Sequence, residues 1–303
     1  MERLIAASLA AGALLLAAQP AQAGLFGLGG KDEAKTAPDA QPNREEAYVR
    51  EVRRAIDEER YADAGRMLDR AFASGMSDPR LVILTGELHL AQGENEEALT
   101  SFSSIQITPA LFAQAQTGKG IALSRLGRSG EAIQALREAT ATDPAAWRAW
   151  NALGVEYDRQ KNWEQAEMAY AEALKAPEAG AMVYNNRGYS RLLQGRRDEA
   201  AADFVTALER DPGFATARTN LRLALAVSGQ YDRATTVSGT EDQAAILNNA
   251  GFAALMRGDL EEAESLFTQA IDARGRNYAR AQENLELTRG LMAQAKADKT
   301  AAP

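Results

Sequence analysis

The sequence predicts an all-α fold built from stacked helix–turn–helix repeats. From Arg44 onward, small and large apolar residues recur with a period of 34 residues. Hydrophobic residues make up 46% of the chain and are rich in Ala and Leu, a composition that favours helices. Gly and Pro recur at fixed points between the apolar runs, where helices are expected to end.

The clearest repeat begins at Trp147, which we number position 1. Its residues at positions 4, 7, 8, 11, 20, 24 and 27 are Trp150, Leu153, Gly154, Tyr157, Ala166, Tyr170 and Ala173. Steps of three and four residues place each set on one face of a helix. We expect small residues at positions 8 and 20 to face each other, large residues to fill the space beside them, and Gly at position 15 to form the turn.

The same register gives seven repeats and a terminal helix. The predicted repeats cover residues 45–78, 79–112, 113–146, 147–180, 181–214, 215–243 (degenerate) and 244–277, with a capping helix over 278–297. Asp143-Pro144 and Asp211-Pro212 are expected to end second helices. The tail over 298–303 is expected to fray. Because no repeat buries both of its faces alone, stability must come from stacking and from capped ends.

The sixth repeat is degenerate because the next repeat restarts 29 residues later instead of 34. Its second helix falls on Thr235, Thr236 and Val237, which are mediocre helix formers. We predict a truncated helix here, followed by a capping box made by Thr240 and Gln243. In the capping helix, the residues expected to face the array are Leu285, Leu287, Leu291 and Met292.

The N-terminus predicts export to a periplasm. Glu2 and Arg3 precede an apolar run followed by an Ala-x-Ala site, which is typical of a signal peptide over residues 1–23, cleaved after Ala23. An uncleaved anchor is the alternative, although about 15 apolar residues is short for a membrane span of roughly 20. No Cys follows the run, so we expect no lipid anchor. Residues 24–43 are predicted to be a disordered linker.

Composition and motifs favour a binding protein over an enzyme. A net charge of −8 argues against nucleic-acid binding, and the absence of Cys excludes disulfides and thiolate chemistry. The only His, His89, falls at packing position 11, so we expect a partly buried structural residue. Acidic pairs such as Glu96-Glu97 begin second helices, where they complement the helix dipole. We expect no catalytic residue, no cofactor and no metal site.

The spacing from Trp147 resembles the tetratricopeptide (TPR) repeat, over about 250 residues. The resemblance implies a right-handed α-α superhelix, a TPR solenoid, whose first helices line an inner groove. Positions 2, 5, 6, 9, 12 and 13 of each repeat are then expected to point into that groove. The partner-binding residues implied are Asn151, Asn185, Asn186, Tyr189, Asn220, Asn248, Asn249 and Phe252.

The asparagines suggest how such a groove recognises an extended segment. A carboxamide both donates to and accepts from a peptide backbone, and Tyr189 and Phe252 would add stacking area. The alternative is that Asn only caps or solvates the first helix. A simple test is whether Trp150 is buried while Asn151 faces an open groove. Other residues at groove positions are Leu223, Met256, Arg148, Asp158 and Arg159.

A narrower resemblance rests on the stretches NALGVEYDRQKNWEQAEMAYAEAL, YNNRGYSRLLQGRRDEAAADFVTALERDP and ILNNAGFAALMRGDLEEAESLFTQAI. With their N-N-x-G-[YF] openings, they resemble the Tad/Flp (tight adherence) pilus-assembly TPR family, the TadD family. Its members are typically outer-membrane lipoproteins thought to help the secretin assemble. This chain lacks the lipidated Cys, so the resemblance implies a soluble periplasmic scaffold whose partner is an envelope protein segment, such as the pilus secretin. The alternative is a general periplasmic TPR adaptor for cell-wall or outer-membrane proteins.

Overall fold

The computed structural model describes residues 44–105, 108–239, 242–274 and 278–301. Within these residues the chain forms fifteen helices and no strand, which confirms the predicted all-α class. The predicted signal peptide over 1–23 and linker over 24–43 lie outside the described residues. The helices belong to two compact units, one that ends at Ser190 and one that begins at Arg191.

The first unit consists of helix pairs. Its helices are α1 (Arg44–Asp57), α2 (Tyr61–Ala73), α3 (Pro79–Gln92), α4 (Asn95–Ser103), α5 (Pro109–Arg125), α6 (Ser129–Thr142), α7 (Trp147–Arg159), α8 (Trp163–Ala173) and α9 (Ala181–Leu193), of which the last residues belong to the second unit. From α1 to α8 the two helices of each pair pack together, and α2, α4 and α6 each pack on the next first helix. First helices also contact one another directly, α1 with α3, α3 with α5 and α5 with α7, so they form a continuous layer.

The second unit repeats this arrangement. Its helices are α10 (Arg197–Arg210), α11 (Ala215–Val227), α12 (Tyr231–Thr236), α13 (Gln243–Arg257), α14 (Leu260–Arg274) and α15 (Ala279–Ala301). Here the first helices α11 and α13 contact each other, and α15 contacts α13 in the same way. The terminal helix therefore takes the place that the first helix of another repeat would take.

Glycine at position 8 lets the two helices of a repeat approach closely. A β-carbon placed on Gly154 would lie 2.6 Å from the ring of Tyr170, and one on Gly251 would lie 2.9 Å from the ring of Phe267. We expected position 8 to face the small residue at position 20. The nearest side chain is the large one at position 24, so the glycine makes room for it. In the third repeat, Gly120 also faces position 20, because a β-carbon placed there would lie 3.3 Å from the Ala132 carbonyl oxygen.

The turn inside each repeat uses a left-handed residue at position 15. Gly127, Gly195 and Gly258 have φ values of 76°, 76° and 84°, as predicted for a glycine turn. In the two repeats that lack this glycine, Glu59 and Lys161 adopt the same conformation with φ of 57°. Position 15 therefore adopts the left-handed conformation even where it carries a side chain that disfavours this conformation.

Helix ends follow local chemistry. Asp143 and Asp211 are the C-terminal caps of α6 and α10, so the Asp-Pro pairs end second helices as predicted. Asp78 caps the start of α3 by accepting a bond from the Arg80 amide, with proline as the first helical residue. Thr108 does the same for α5. Such caps satisfy amides that have no partner within the helix.

The predicted truncation of the sixth repeat is confirmed, because α12 has only six residues. Arg222 stands at position 8, where other repeats carry glycine, and its side chain is buried. Its Nη2 donates to the Val237 carbonyl oxygen, at 2.7 Å, just beyond the end of α12. The arginine thus satisfies a carbonyl at the end of the short helix.

Two expectations about the C-terminal part are wrong. The helix α13 is capped by Asp242, whose carboxylate accepts from the Ala244 amide at 3.0 Å. Gln243 is the first residue of that helix and not its third, and the other member of the predicted capping box, Thr240, lies outside the described residues. The tail expected to fray from residue 298 onward is helical as far as Ala301.

Candidate partner-binding surface

The first helices of each unit form a layer, and this first-helix layer is the candidate surface of that unit. Most asparagines predicted to line it are buried, which corrects the expectation of an open row of carboxamides. Asn151 is 0% exposed, and Trp150 is only half-buried, with its indole Nε1 donating to the Pro144 carbonyl at 3.0 Å. The test posed by this pair therefore gives the opposite result. Asparagines predicted to bind a partner but buried in the structure are Asn151, Asn185, Asn186, Asn220 and Asn248.

The buried asparagines join consecutive repeats. In the first unit, Asn186 Nδ2 donates to Asn151 Oδ1 at 3.0 Å, from position 6 of one repeat to position 5 of the preceding one. In the second unit, Asn284 Nδ2 donates to Asn248 Oδ1 at 3.1 Å. Because a buried carboxamide is costly without hydrogen bonds, these pairs fix how each repeat stacks on the next. Neither capping nor peptide binding accounts for them.

A second polar row in the first unit joins position 12 of one repeat to position 10 of the next. Ser124 Oγ donates to the buried carboxylate of Glu156, which also accepts from Ser129 Oγ. One repeat later, Ser190 Oγ donates to Asp158 Oδ1 at 2.6 Å. These links run beside the asparagine pair and give the first-helix layer a second set of specific contacts.

Asp158 is the most perturbed carboxylate of this row. Besides the Ser190 bond, its Oδ2 accepts from the Tyr170 hydroxyl at 2.8 Å. Burial outweighs both bonds and raises the pKa of Asp158 to about 6. Burial, and then the charge of Asp158, also raise the pKa of Tyr189. Asp158 thus links two consecutive repeats, and its carboxyl group changes charge near pH 6.

Arginines near position 13 reach back to the preceding first helix. Arg159 Nη1 donates to the Ser124 carbonyl oxygen at 3.0 Å, and Arg125 Nη1 donates to the Leu90 carbonyl. In the second unit, Arg257 Nη1 donates to the Val227 carbonyl oxygen at 3.1 Å. Each cation sits at a helix C-terminus, where unpaired carbonyls and the helix dipole favour positive charge. Arg159 was predicted to add charge to a groove, but its main contacts are structural.

At position 9, the first unit carries a charge pair between adjacent repeats. Arg53 and Glu87 form a salt bridge between α1 and α3. Burial raises the pKa of Glu87 even though the Arg53 charge favours the carboxylate. The first-helix layer of this unit is therefore polar and largely satisfied by its own contacts.

Three of the predicted binding residues do reach solvent. Asn249 is exposed, and Tyr189 and Phe252 are half-buried. Two further residues on the same layer were missed because the terminal helix was expected to turn them inward. Leu287 is exposed and Leu291 is half-buried, whereas Leu285 alone of that set is buried. The signal that could have identified them is the Asn284–Asn248 pair, which places α15 in the register of a first helix.

No catalytic or metal site is evident in the described part of the chain. His89 is half-buried near the end of α3, and its Nδ1 lies 2.6 Å from Glu94 Oε2. No group of three or more His, Cys, Asp or Glu residues in the described ranges could hold a metal ion. Among the same residues, no helix combines the length and hydropathy of a membrane span.

The repeat register is shared with a known family. The sequence profile described as Tetratricopeptide repeat matches residues 49–111, 117–181 and 185–237, more than half of the chain. The chain is a TPR protein. TPR proteins are generally scaffolds that bind proteins or peptides and are generally not enzymes, and their stability comes from the stacking of neighbouring repeats.

One curated relative shares a part of the TPR array. Protein FlbA of Caulobacter vibrioides is 31% identical over 116 residues, which cover 36% of this chain and 19% of FlbA. The match thus spans about a fifth of the relative's length.

Solved structures share the TPR fold. A thermophilic TPR protein of Thermus thermophilus, TTC0263, superposes with a TM-score of 0.54 and 22% identity, over 60% of this chain and 98% of that chain. The pilF protein of Pseudomonas aeruginosa superposes with a TM-score of 0.51 and 21% identity, over 68% of this chain and 95% of that chain. At this level of identity the likeness concerns the fold alone.

Proposed function

We propose that this TPR protein is a non-enzymatic scaffold of the cell envelope. It binds a segment of a partner protein on the first-helix layer of a unit and thereby assists assembly of a Tad/Flp-type pilus or a related secretion machine. The observation that carries the proposal is the contrast within that layer. Asparagines such as Asn151 and carboxylates such as Asp158 bond between repeats. The side chains of Tyr189, Asn249 and Phe252 reach solvent.

This contrast suits a binding scaffold. The inter-repeat bonds of Asn151 and Asp158 hold the first helices in fixed register. Side chains mounted on such helices lose little conformational entropy when a partner binds, because their backbone is already ordered. Aromatic side chains are the commonest anchors of protein interfaces, so Tyr189 and Phe252 are the residues that we assign as contacts.

The envelope location and the pilus role rest on the sequence. The apolar run and Ala-x-Ala site at residues 1–23 support export and cleavage after Ala23. The N-N-x-G-[YF] openings at Asn185 and Asn248 support the Tad/Flp resemblance. N-terminal sequencing of the protein from a periplasmic extract tests the first point, with Gly24 as the expected first residue.

In-cell crosslinking tests the partner. The full chain is crosslinked in intact cells, and captured proteins are identified by mass spectrometry. Recovery of the pilus secretin or another pilus component supports the proposal, and recovery of cell-wall enzymes instead indicates a general adaptor. A variant with Tyr189→Ala and Phe252→Ala should lose the capture, whereas Met168→Ala should retain it, because Met168 is exposed on a second helix. Equal capture by all three proteins would rule out the first-helix layer.

A further inference from the structure

The second unit carries an apolar stripe on its first-helix layer. Positions 9 and 13 of α11 and α13 hold apolar side chains that reach solvent. The Asn284–Asn248 bond matches the Asn186–Asn151 bond, so Asn284 is at position 6 of α15. Positions 9 and 13 of α15 are therefore Leu287 and Leu291. The apolar stripe consists of Leu223, Val227, Phe252, Met256, Leu287 and Leu291.

The stripe is continuous and unusual for this chain. Neighbouring first helices are in contact, α11 with α13 and α13 with α15. Met256 is 44% exposed and Leu287 is 39% exposed, and the other four stripe residues are half-buried. In the first unit the same two positions are mostly charged or buried, and only Ala91 and Tyr189 are half-buried without a charge. The charged residues there are Arg53, Asp57, Glu87, Arg125 and Arg159. The apolar character is therefore a property of the second unit and not of the repeat.

The area of the stripe indicates the size of its partner. Because four of its six side chains are half-buried, the stripe exposes no more than about 400 Å² of apolar surface, which is comparable to the largest patch on a typical monomer. A stable protein interface buries about 800 Å² on each partner. The stripe is thus too small to hold a second copy of the chain and large enough for one face of a single helix.

The backbone chemistry of the layer selects a helix over an extended segment. An extended peptide needs hydrogen-bond partners for its own amides and carbonyls. Beside the stripe, Asn220 and Asn248 are buried, and Asn248 accepts from Asn284. Only Asn249 of this predicted row is exposed. A helix satisfies its own backbone and needs only an apolar face, so it fits a surface of this kind.

Charge and dimensions add further constraints. The helices α11 and α13 contain Arg218, Arg222 and Arg257 and no acidic residue, so the field of these two helices is positive even though Asp259 neutralises Arg257. Helix α15 carries both signs of charge, with Glu283 and Glu286 exposed near the stripe. Packed helix axes lie about 8–10 Å apart, so the three first helices span roughly 20 Å. A helix of about 18 residues is roughly 27 Å long and can therefore cross all three.

We propose that the apolar stripe binds one amphipathic helix of a partner protein, about five turns long, with acidic rather than basic residues beside its apolar face where it lies over α11 and α13. This inference rests on the proposed scaffold function and specifies the partner of the second unit. Apolar side chains of the partner at steps of three and four residues would lie along the stripe.

Binding of a designed peptide to the full chain tests the recognition. The probe is a labelled peptide of about 18 residues with Leu at helical spacing and Glu on its other face, measured by fluorescence anisotropy. We expect saturable binding that weakens about tenfold or more for the double variant Met256→Glu with Leu287→Glu, because two charges enter the contact. The matched control is Val205→Glu, which changes a 38% exposed apolar residue on the second helix α10 and should leave the affinity unchanged.

Several results would overturn the proposal. They are the absence of peptide binding, equal binding by the double variant, equal binding by a peptide that two central prolines keep from forming a helix, and equal or tighter binding by a peptide with Lys in place of Glu. Self-association of the wild-type chain in sedimentation, lost in the double variant, would show that a second copy occupies the stripe.

A photo-reactive residue at position 252 tests the partner in cells. We expect crosslinks to an amphipathic helical segment of another envelope protein, and none from the same group placed at position 205. Crosslinks to residues 24–43 of the chain itself would contradict the proposal. If partners are captured only from position 189, the scaffold function stands and the stripe assignment fails. Capture from neither position would reject both.

Discussion

Gly154 lies directly under the ring of Tyr170, so close that a β-carbon on the glycine would stand 2.6 Å from the ring. The same relationship joins Gly251 to Phe267. Each pair lets the two helices of a repeat approach around a large side chain, and buried rings provide much of the apolar contact in a repeat. The spacing of position 8 and position 24 is therefore a direct physical constraint.

We expect Gly154→Ala to destabilise the protein by about 1–3 kcal/mol, because the added methyl group forces the Tyr170 ring out of its place. The measurement is the midpoint of urea unfolding followed by circular dichroism. Gly130→Ala is the control: a β-carbon there meets nothing within 4 Å, and Gly130 lies in helix α6. It should stabilise the protein by up to about 1 kcal/mol. Destabilisation of similar size in both variants would contradict the role assigned to the ring.

Position 15 offers a reciprocal exchange. Lys161 adopts φ of 57°, a left-handed conformation that costs a side-chain-bearing residue about 1 kcal/mol. Lys161→Gly should therefore raise stability by up to that amount, and Gly195→Lys should lower it, since Gly195 has φ of 76°. Thermal unfolding of the two variants checks the pair, and a loss of stability in Lys161→Gly would show that side-chain contacts of the lysine outweigh the strain.

The asparagine pair should affect stability more than binding. Asn186→Ala leaves the buried Asn151 oxygen without its 3.0 Å hydrogen bond, and we expect a loss of about 1–3 kcal/mol. Asn249→Ala changes an exposed residue and should stay within about 0.5 kcal/mol of the wild type. Chemical unfolding of both variants distinguishes these outcomes. If both variants were as stable as the wild type, the result would support the hypothesis that both asparagines bind a ligand.

Asp158 predicts a pH dependence of stability. Its pKa rises from 3.8 to about 6 in the folded protein, mainly through burial. Because the folded pKa lies above the unfolded one, the stability due to protonation is fully present below about pH 4 and is lost as the pH rises through about 6. Asp158→Asn removes the charge, so we expect it to exceed the wild type by about 1–2 kcal/mol at pH 7.5, after allowance for partial solvent screening.

Urea unfolding at about pH 4 and about pH 7.5 checks this prediction. At the lower pH the variant and the wild type should have similar stability, since the folded wild-type carboxyl is then protonated. Asp158→Ala is the control, because it loses the hydrogen bonds to Ser190 and Tyr170. It should be less stable than Asp158→Asn at both pH values. If the free energy of unfolding of Asp158→Asn changed with pH as much as that of the wild type, another titrating group would cause the pH dependence.

The fold followed from the sequence because its determinants are local and periodic. A glycine at position 15 and an Asp-Pro pair near position 31 act within one repeat, so their positions predicted turns and helix ends, and the short sixth repeat predicted a short α12. The candidate surface was harder to predict. Asn186 and Asn249 both stand at position 6, yet the first is buried between repeats and the second is exposed, because burial depends on what the neighbouring repeat presents.

The terminal helix shows the same limit. A helix at the end of an array has a partner on one side only, so its apolar residues were expected to face inward. Leu285 does so, but Leu287 points to solvent. The direction is set by the bond between Asn284 and Asn248, a contact between residues 36 apart in the chain. Pairing at that distance cannot be read from a single helix.

The shortness of α12 creates a weak link in the unfolding of the second unit. In a linear array each repeat is coupled only to its neighbours, so cooperative unfolding breaks where the shared interface is smallest. Six residues in α12 bury less than a full helix, so α13–α15 should open as a group, visible as earlier amide hydrogen exchange. A helix lying on Leu223 and Phe252 would contact both sides of that link. Partner binding would then slow amide hydrogen exchange in α13–α15. It would also stabilise the interface around α12, where the unit unfolds least cooperatively.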